Sequence, residues 1–345
     1  MTATATALRQ MWHVAPHAGA HRPALRMGIA ALVPMVLLTL TGHPEWGGWA
    51  LLGTVTAAYA RSDSPRRRFR VQAIAGLFLL LLVIVATVLV AAAVPGVVLV
   101  GATAVVAGVA TVLADTGRWS PPGALFPVFV FGAATAIPAT FGDLPAAAGF
   151  STAGLAWALS VTASGDSLRT RIARHRANPA PSPAPPRPAA RLTALHAAIC
   201  FAGAGIAGVL ALAAGLQHPA WAMVAAVVPV VGTATTGQIV RAGHRLVGTL
   251  LGVLVAGVLF LHTPGPLEIA VLTAVLLFGA ELLIARNYSL ALLCITPVTI
   301  GLAHPGSPQR LLTLMADRAL ETTIGVVVAV TLILAVHRLR IRLVG

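Results

Sequence analysis

Five ionisable residues stand inside or at the edge of long apolar runs: Asp317, Arg318 and Glu321 close together, Glu281, and Arg245. At the centre of a membrane span such groups cost about 2.5–3.5 kcal/mol each on insertion scales, so they normally face a bundle interior or a cavity. Asp317 precedes Glu321 by four residues and Arg318 precedes it by three, which on a helix allows an ion-paired cluster on adjoining faces. Low dielectric disfavours a carboxylate's charged form and a nearby guanidinium favours it, a balance suited to carrying protons. The plainer alternative is a structural ion pair, or a cluster near an outer edge that meets water. Arg245 reads first as an interfacial anchor and His244 beside it as a water-facing loop residue. Glu45, Asp115 and Asp143 fall at loop edges and read as solvated.

Other motifs carry less. His13, His17 and His21 are spaced by four, but Pro16 and Gly19 interrupt the helix that would align them, so no metal site is expected. Gly203-Ala204-Gly205-Ile206-Ala207-Gly208 matches a dinucleotide fingerprint, yet it lies inside an apolar span with no strand before it. Gly248-Thr249-Leu250-Leu251-Gly252 is a small-residue face suited to close helix packing. No His-Glu-x-x-His, Cys-x-x-Cys, phosphate loop or nucleophile elbow occurs. The chain reads as no enzyme and calls for no cofactor.

The elements that must position these residues follow from composition. The chain has 345 residues, 58% hydrophobic and only 9% charged, where soluble domains carry about 25% charged residues. Mean hydropathy is +0.90. The stretch from Val71 to Gly117 contains a single charge, Asp115. A bilayer helix needs about 20 apolar residues, and the chain holds material for many. A soluble enzyme, a DNA-binding factor and a disordered tail are thereby excluded. Cys200 and Cys294 both fall in apolar runs and imply no disulfide framework.

Twelve apolar segments are expected, at about 25–41, 46–60, 71–94, 96–114, 122–140, 144–165, 192–215, 219–236, 246–262, 266–285, 287–303 and 311–337, with ends uncertain by roughly 2–4 residues. The net charge of +14 comes entirely from arginine on the basic side. The arginines form no single patch, so nucleic acid is not a partner; they cluster between alternate spans, as in cytoplasmic loops. With the N-terminus inside, only Arg310 lies in an outer loop and only Arg318 within a span. Both termini are therefore expected in the cytoplasm, and no cleavable signal peptide is expected.

The halves are alike. Gly42-His43-Pro44-Glu45-Trp46 recurs as Gln217-His218-Pro219-Ala220-Trp221, and Ala114 to Pro127 recurs with small gaps as Ala285 to Pro297. Six spans per half make the repeats parallel. The expected division is a cytoplasmic arm (1–24), a first six-helix repeat (25–168), an Arg/Pro-rich cytoplasmic linker (169–191) and a second repeat (192–345), with a route between the repeats. The second, fifth, eighth and eleventh spans are short, and Pro229, Pro127 and Pro297 fall in them. Short or proline-interrupted spans at matching positions point to a substrate site, or more plainly to packing kinks.

The second half resembles the fusaric acid resistance family, also called the aromatic acid exporter family. Three stretches carry the resemblance: Arg245-Leu246-Val247-Gly248-Thr249-Leu250-Leu251-Gly252, Arg286-Asn287-Tyr288 through Thr296-Pro297, and Arg318-Ala319-Leu320-Glu321-Thr322-Thr323-Ile324-Gly325. The first half is degenerate, with Arg70-Val71-Gln72-Ala73-Ile74-Ala75-Gly76 where the Gly-Thr motif would fall. The resemblance implies an all-α inner-membrane exporter of aromatic or other weak organic acids driven by the proton gradient. On that reading Arg318, helped by Arg245, attracts the carboxylate, and Glu321, Asp317 or Glu281 carries the proton. Two alternatives stay open: a passive organic-anion channel, and a non-transporting scaffold in envelope assembly whose cationic loops hold anionic lipid or a partner. The expected partners are the lipid bilayer, a small organic anion and protons; a homo-oligomer is compatible with the sequence.

Overall fold

The computed structural model describes residues 11–16, 19–173, 188–232, 234–303 and 311–337, the side chains of 167–173 excepted. Most of the Arg/Pro-rich linker, His17, Arg310 and the arginines of the tail lie outside the described residues. Among the described residues the chain is all-α, with no strand. Twelve helices follow one another: α1 (His21–Leu40), α2 (Gly47–Thr54), α3 (Pro65–Ala91), α4 (Gly96–Gly117), α5 (Leu125–Thr135), α6 (Leu144–Ala173), α7 (Ala190–Ala213), α8 (Pro219–Val227), α9 (Thr235–Leu259), α10 (Pro266–Ile284), α11 (Tyr288–Ala303) and α12 (Leu311–Ala335). Eight are long and apolar enough to cross a bilayer, and the short ones are α2, α5, α8 and α11. This is a multi-pass membrane protein.

Its outside is apolar. Leu77, Leu254 and Val258 are more than 60% exposed, at 62%, 63% and 67%, on helices whose opposite faces are buried. Water would penalise such a surface; lipid does not. The interior is made of small residues, among them Ala30, Ala107, Ala204 and Ala211, all fully buried. Between helices in lipid, close backbone approach and dispersion replace the hydrophobic drive, so small residues collect at the seams.

The helix pairings repeat. In the first six, α2 packs on α6, α3 on α5 and α6, α4 on α5, and α1 on α2 and α6. Adding six to every label describes the second set: α8 on α12, α9 on α11 and α12, α10 on α11, and α7 on α8 and α12. The two sets meet chiefly where α4 packs on α7 and α10 on α1. Glycines make equivalent seams possible. A Cβ on Gly154 of α6 would overlap the Ala50 carbonyl of α2, and one on Gly325 of α12 would overlap the Ala222 carbonyl of α8. The face headed by Gly248 and Gly252 packs on α11, where a Cβ would come within 2.6 Å of the Ser289 and Leu292 carbonyl oxygens respectively. Gly252→Val should therefore destabilise the detergent-solubilised protein by about 1–3 kcal/mol. Gly101→Ala, with open space around it, should be tolerated; thermal melting of the two variants checks this.

The short helices leave backbone uncovered, and side chains of the next helix cover it. After α2 the chain passes through a 3-10 turn (Val55–Ala58) into extended Tyr59. Gln72 Nε2 donates to the Ala57 and Tyr59 carbonyls at 3.3 and 3.0 Å, and Arg68 donates to those of Ala60, Arg61 and Asp63. After α8, Gln238 Nε2 donates to the Val230 and Gly232 carbonyls at 2.5 and 2.7 Å, and Arg241 to that of Val231. Broken helices survive at membrane depth only when protein satisfies the freed groups.

Several expectations need correction. Pro127 sits in the first turn of α5, where its missing N–H had no helical partner to lose. Pro229 follows the end of α8 and so terminates that helix without kinking it. Of the three prolines singled out, only Pro297 interrupts a helix; Pro34, inside α1, does so as well. Asp115 is not solvated: its Oδ2 lies 2.8 Å from His196 Nδ1, tying α4 to α7.

Candidate anion site

The short helix α8 begins at His218-Pro219. Pro219 occupies the first helical position, where a fixed φ favours the turn. The turn brings the His218 ring onto Trp221, with centroids 4.5 Å apart and planes within 13°. The first six helices carry the same arrangement in His43 and Trp46, with centroids 4.1 Å apart and 13° between planes. The third member of each stack differs. Phe150 from α6 lies against Trp46, centroids 4.7 Å apart. Arg318 from α12 lies against Trp221, with its guanidinium carbon 4.6 Å from the ring centroid. An apolar stack in one set is a cation–π contact in the other.

Arg318 is 2% exposed, and among the described residues no carboxylate comes within 4.0 Å of its guanidinium nitrogens. The expected ion pair with Glu321 is not formed. Glu321, fully buried, instead accepts the backbone N–H of His218 at Oε1, 3.0 Å away. The i, i+3 spacing brings the two side chains near, but each is drawn to the start of α8 by a partner of its own. Glu321, Arg245 and Tyr288 all act electrostatically on Arg318. Asp317 is 9% exposed and acts on His218 and Glu321.

Arg245 lies farther inside than its sequence neighbourhood suggests. Helix α9 starts at Thr235, so Arg245 is well past the first turns and 3% exposed, where an interfacial anchor was expected. Its Nη1 donates to the Tyr288 hydroxyl, 3.0 Å away, at the start of α11. Two guanidiniums, Arg245 and Arg318, thus share one low-dielectric region. Arg318 is also not the only arginine buried within a helix, since Arg68 is 4% exposed on α3.

Glu281 belongs to a different cluster. Its Oε2 lies 3.1 Å from Arg61 Nη2, joining α10 to the segment after α2. Nearby, both Asp166 oxygens lie 2.6 Å from Arg68 Nη1, and Arg26 is 4.0 Å from Asp166. Each of these carboxylates faces an arginine, and the Arg61–Glu281 pair bridges the two sets of helices. Among the described residues no group of three or more His, Cys, Asp or Glu side chains is arranged to hold a metal.

Sequence reasoning picked out Arg318, Glu321, Asp317 and Arg245 and missed their partners Trp221, His218 and Tyr288. A signal existed, because His218 and Trp221 were the recurring motif and Tyr288 stood in the Asn-Tyr stretch. His244 also has a partner: its Nε2 lies 3.0 Å from the Met11 carbonyl oxygen. Asn287 Nδ2 donates to the same carbonyl and to that of His13, so residues 11–15 lie across the start of α11.

Comparison with known proteins supports this region as a unit. Residues 206–332 match the family described as fusaric acid resistance protein-like, a range that contains every residue from His218 to Glu321 named above. A curated relative, the uncharacterized membrane protein YvaC of Bacillus subtilis (strain 168), is 31% identical over 124 residues. That stretch is 34% of this chain and only 20% of the relative's length. No solved structure matches.

Proposed function

We propose that this protein moves small organic acids, aromatic ones among them, across the inner membrane in the outward direction, with their carboxylates passing Arg318. The observation that carries this reading is a guanidinium buried against Trp221 with no carboxylate at ion-pair distance among the described residues. An uncompensated buried cation is costly, and a cation kept in that state in a membrane marks a place for an anion. The match to the fusaric acid resistance protein-like family over the same residues supports an organic acid as that anion.

In this reading the chain is two parallel six-helix units, supported by the helix pairings that recur six elements on and by the matching His-Trp stacks. Both termini face the cytoplasm, the side to which the arginine clusters assign the start of α1 and the end of α12. The second unit keeps a buried cation without an ion-paired carboxylate; the first, with Phe150 at the stack and Arg68 paired to Asp166, is the structural partner. Glu321 is the proton carrier, because it is fully buried and among the described residues only one of its oxygens has a bond donor.

The test is benzoate flux in proteoliposomes with an imposed pH gradient. The unmodified protein should accumulate benzoate faster than protein-free liposomes under the same gradient, and only when the gradient is present. Glu321→Gln should retain downhill flux but lose the response to the gradient, because its side chain no longer exchanges a proton. Gradient-driven accumulation that survives in both Glu321→Gln and Glu281→Gln would discard the proton role. Benzoate movement in unmodified protein that ignores the gradient would point to a passive channel.

A further inference from the structure

Buried threonines in this protein fall into two kinds. Thr87, Thr103 and Thr111 donate to the carbonyl four residues back, at 2.9, 2.7 and 2.7 Å, as threonines in apolar helices commonly do. Thr249, Thr296 and Thr322 are fully buried, and their hydroxyls have no hydrogen-bond partner among the described residues. Nor do Arg245 Nε, Arg318 Nε, Glu321 Oε2 and His218 Nδ1. All seven atoms belong to α9, α11, α12 and the start of α8, elements that pack on one another.

Their order along the bundle is informative. Helices α9 and α12 run in opposite directions, with Gly257 late in α9 facing Met315 early in α12. Thr249 is one turn beyond Arg245 and Thr322 one turn beyond Arg318, so each step leads from one guanidinium toward the other. Thr296 stands at the same level, since its Oγ1 would lie 2.9 Å from a Cβ on Gly252. Three hydroxyls free to donate therefore lie between two cations.

A buried hydroxyl left unpaired costs about 1–3 kcal/mol, and native proteins meet that cost with ordered water or a ligand. In a bilayer the water must enter from one end. The first six helices also hold unpaired hydroxyls, on Thr56 and Thr162. There, however, Arg68 is bound to both oxygens of Asp166 and Phe150 covers Trp46. We infer that the second six helices enclose a hydrated anion passage, in which the hydroxyls of Thr249, Thr296 and Thr322 hand a carboxylate or similar oxyanion between Arg245 and Arg318. The passage runs through the core of one set of six helices and not between the two sets. It rests on the reading of Arg318 as an anion contact and adds the residues that replace the anion's water shell.

Thiol accessibility tests it without relying on transport. In a protein carrying Cys200→Ala and Cys294→Ala, each of Thr249→Cys, Thr296→Cys and Thr322→Cys is exposed to anionic sulfonatoethyl and cationic trimethylammonioethyl methanethiosulfonate. Rates are normalised to those of free cysteine. Leu254→Cys, on the apolar face of α9, is the dry control. The three positions should react, and the anionic reagent should win by about tenfold, the scale of focusing by a cleft lined with one sign of charge. Millimolar benzoate should slow them. Rates no faster than at Leu254→Cys, or no preference for the anion, would overturn the passage. Threonine-to-valine changes guard against a cysteine that misfolds. If the hydroxyls are dry, Thr322→Val raises the melting temperature and leaves flux intact, which also overturns the proposal; if wet, it lowers flux. Labelling without any benzoate flux would leave the passage standing and remove the organic-acid reading. Benzoate flux without labelling would do the reverse.

Discussion

Arg318→Met should lower benzoate transport at sub-saturating concentration about 10- to 100-fold while leaving the protein at least as stable as before. The two halves of this expectation have one cause. Arg318 is 2% exposed, lies over Trp221 and has no ion-paired carboxylate among the described residues, so its charge is carried by the fold at a cost. Replacing buried ionic groups by apolar ones of similar volume is often neutral or stabilising, by about 1–4 kcal/mol, and Glu321, left without the cation, is not held charged because it can take up a proton. A charge-assisted hydrogen bond to a bound carboxylate contributes about 1.5–3 kcal/mol, so its loss should raise the half-saturating benzoate concentration about 10- to 100-fold. Arg318→Lys separates charge from shape. It keeps the cation but loses the planar group that lies on Trp221, so partial transport is expected. Melting temperature and flux measured on the same preparations check both halves. Unaltered flux in Arg318→Met would remove this residue from the route.

Asp166→Ala should have the opposite signature, a large loss of stability. Its carboxylate receives Arg68 Nη1 at 2.6 Å to both oxygens, and Arg26 stands 4.0 Å away. Arg68 also donates to three carbonyls of the segment that follows the short helix α2. Removing the carboxylate leaves a buried arginine unpaired, a change that typically costs about 3–5 kcal/mol. The damage should spread to the broken span whose backbone Arg68 satisfies, and from there to Glu281, which is held by Arg61 in the same segment. Asp166→Asn, which keeps one carbonyl oxygen as acceptor, should lose less. Thermal unfolding in detergent, followed by aggregation or tryptophan fluorescence, provides the measurement. A loss within the range of an ordinary surface substitution, about 0.5 kcal/mol, would show that the network is dispensable.

These two arginines mark how far reading residues in order can go. Arg318 stood out because a charge within an apolar run is costly wherever the run folds. Arg68 did not, because it follows Pro65, Arg66 and Arg67 and looks like part of a loop cluster; only the start of α3 at Pro65 makes it a helix residue. Arg245 was misplaced for the same reason. The eighth apolar segment was expected to run to 236 and the ninth to start at 246, yet α9 begins at Thr235 and carries Arg245 inward. Helix starts in lipid are set by where the preceding chain ends and what covers its carbonyls, and Gln238 does that for the segment after α8.

Residue order was enough to read the apolar runs, their number, the short ones among them, and the likeness of His43-Pro44 to His218-Pro219, because run length and turn chemistry act between near neighbours. The tertiary structure alone decided that Arg318 lies on Trp221 and Glu321 takes an amide from His218, about a hundred positions earlier. It also decided that Glu281 serves Arg61 in the other set of helices. Those pairings depend on which small-residue seams let α12 approach α8 and α10 approach α1, and close contact between distant segments is a property of packing that spacing along a chain does not encode.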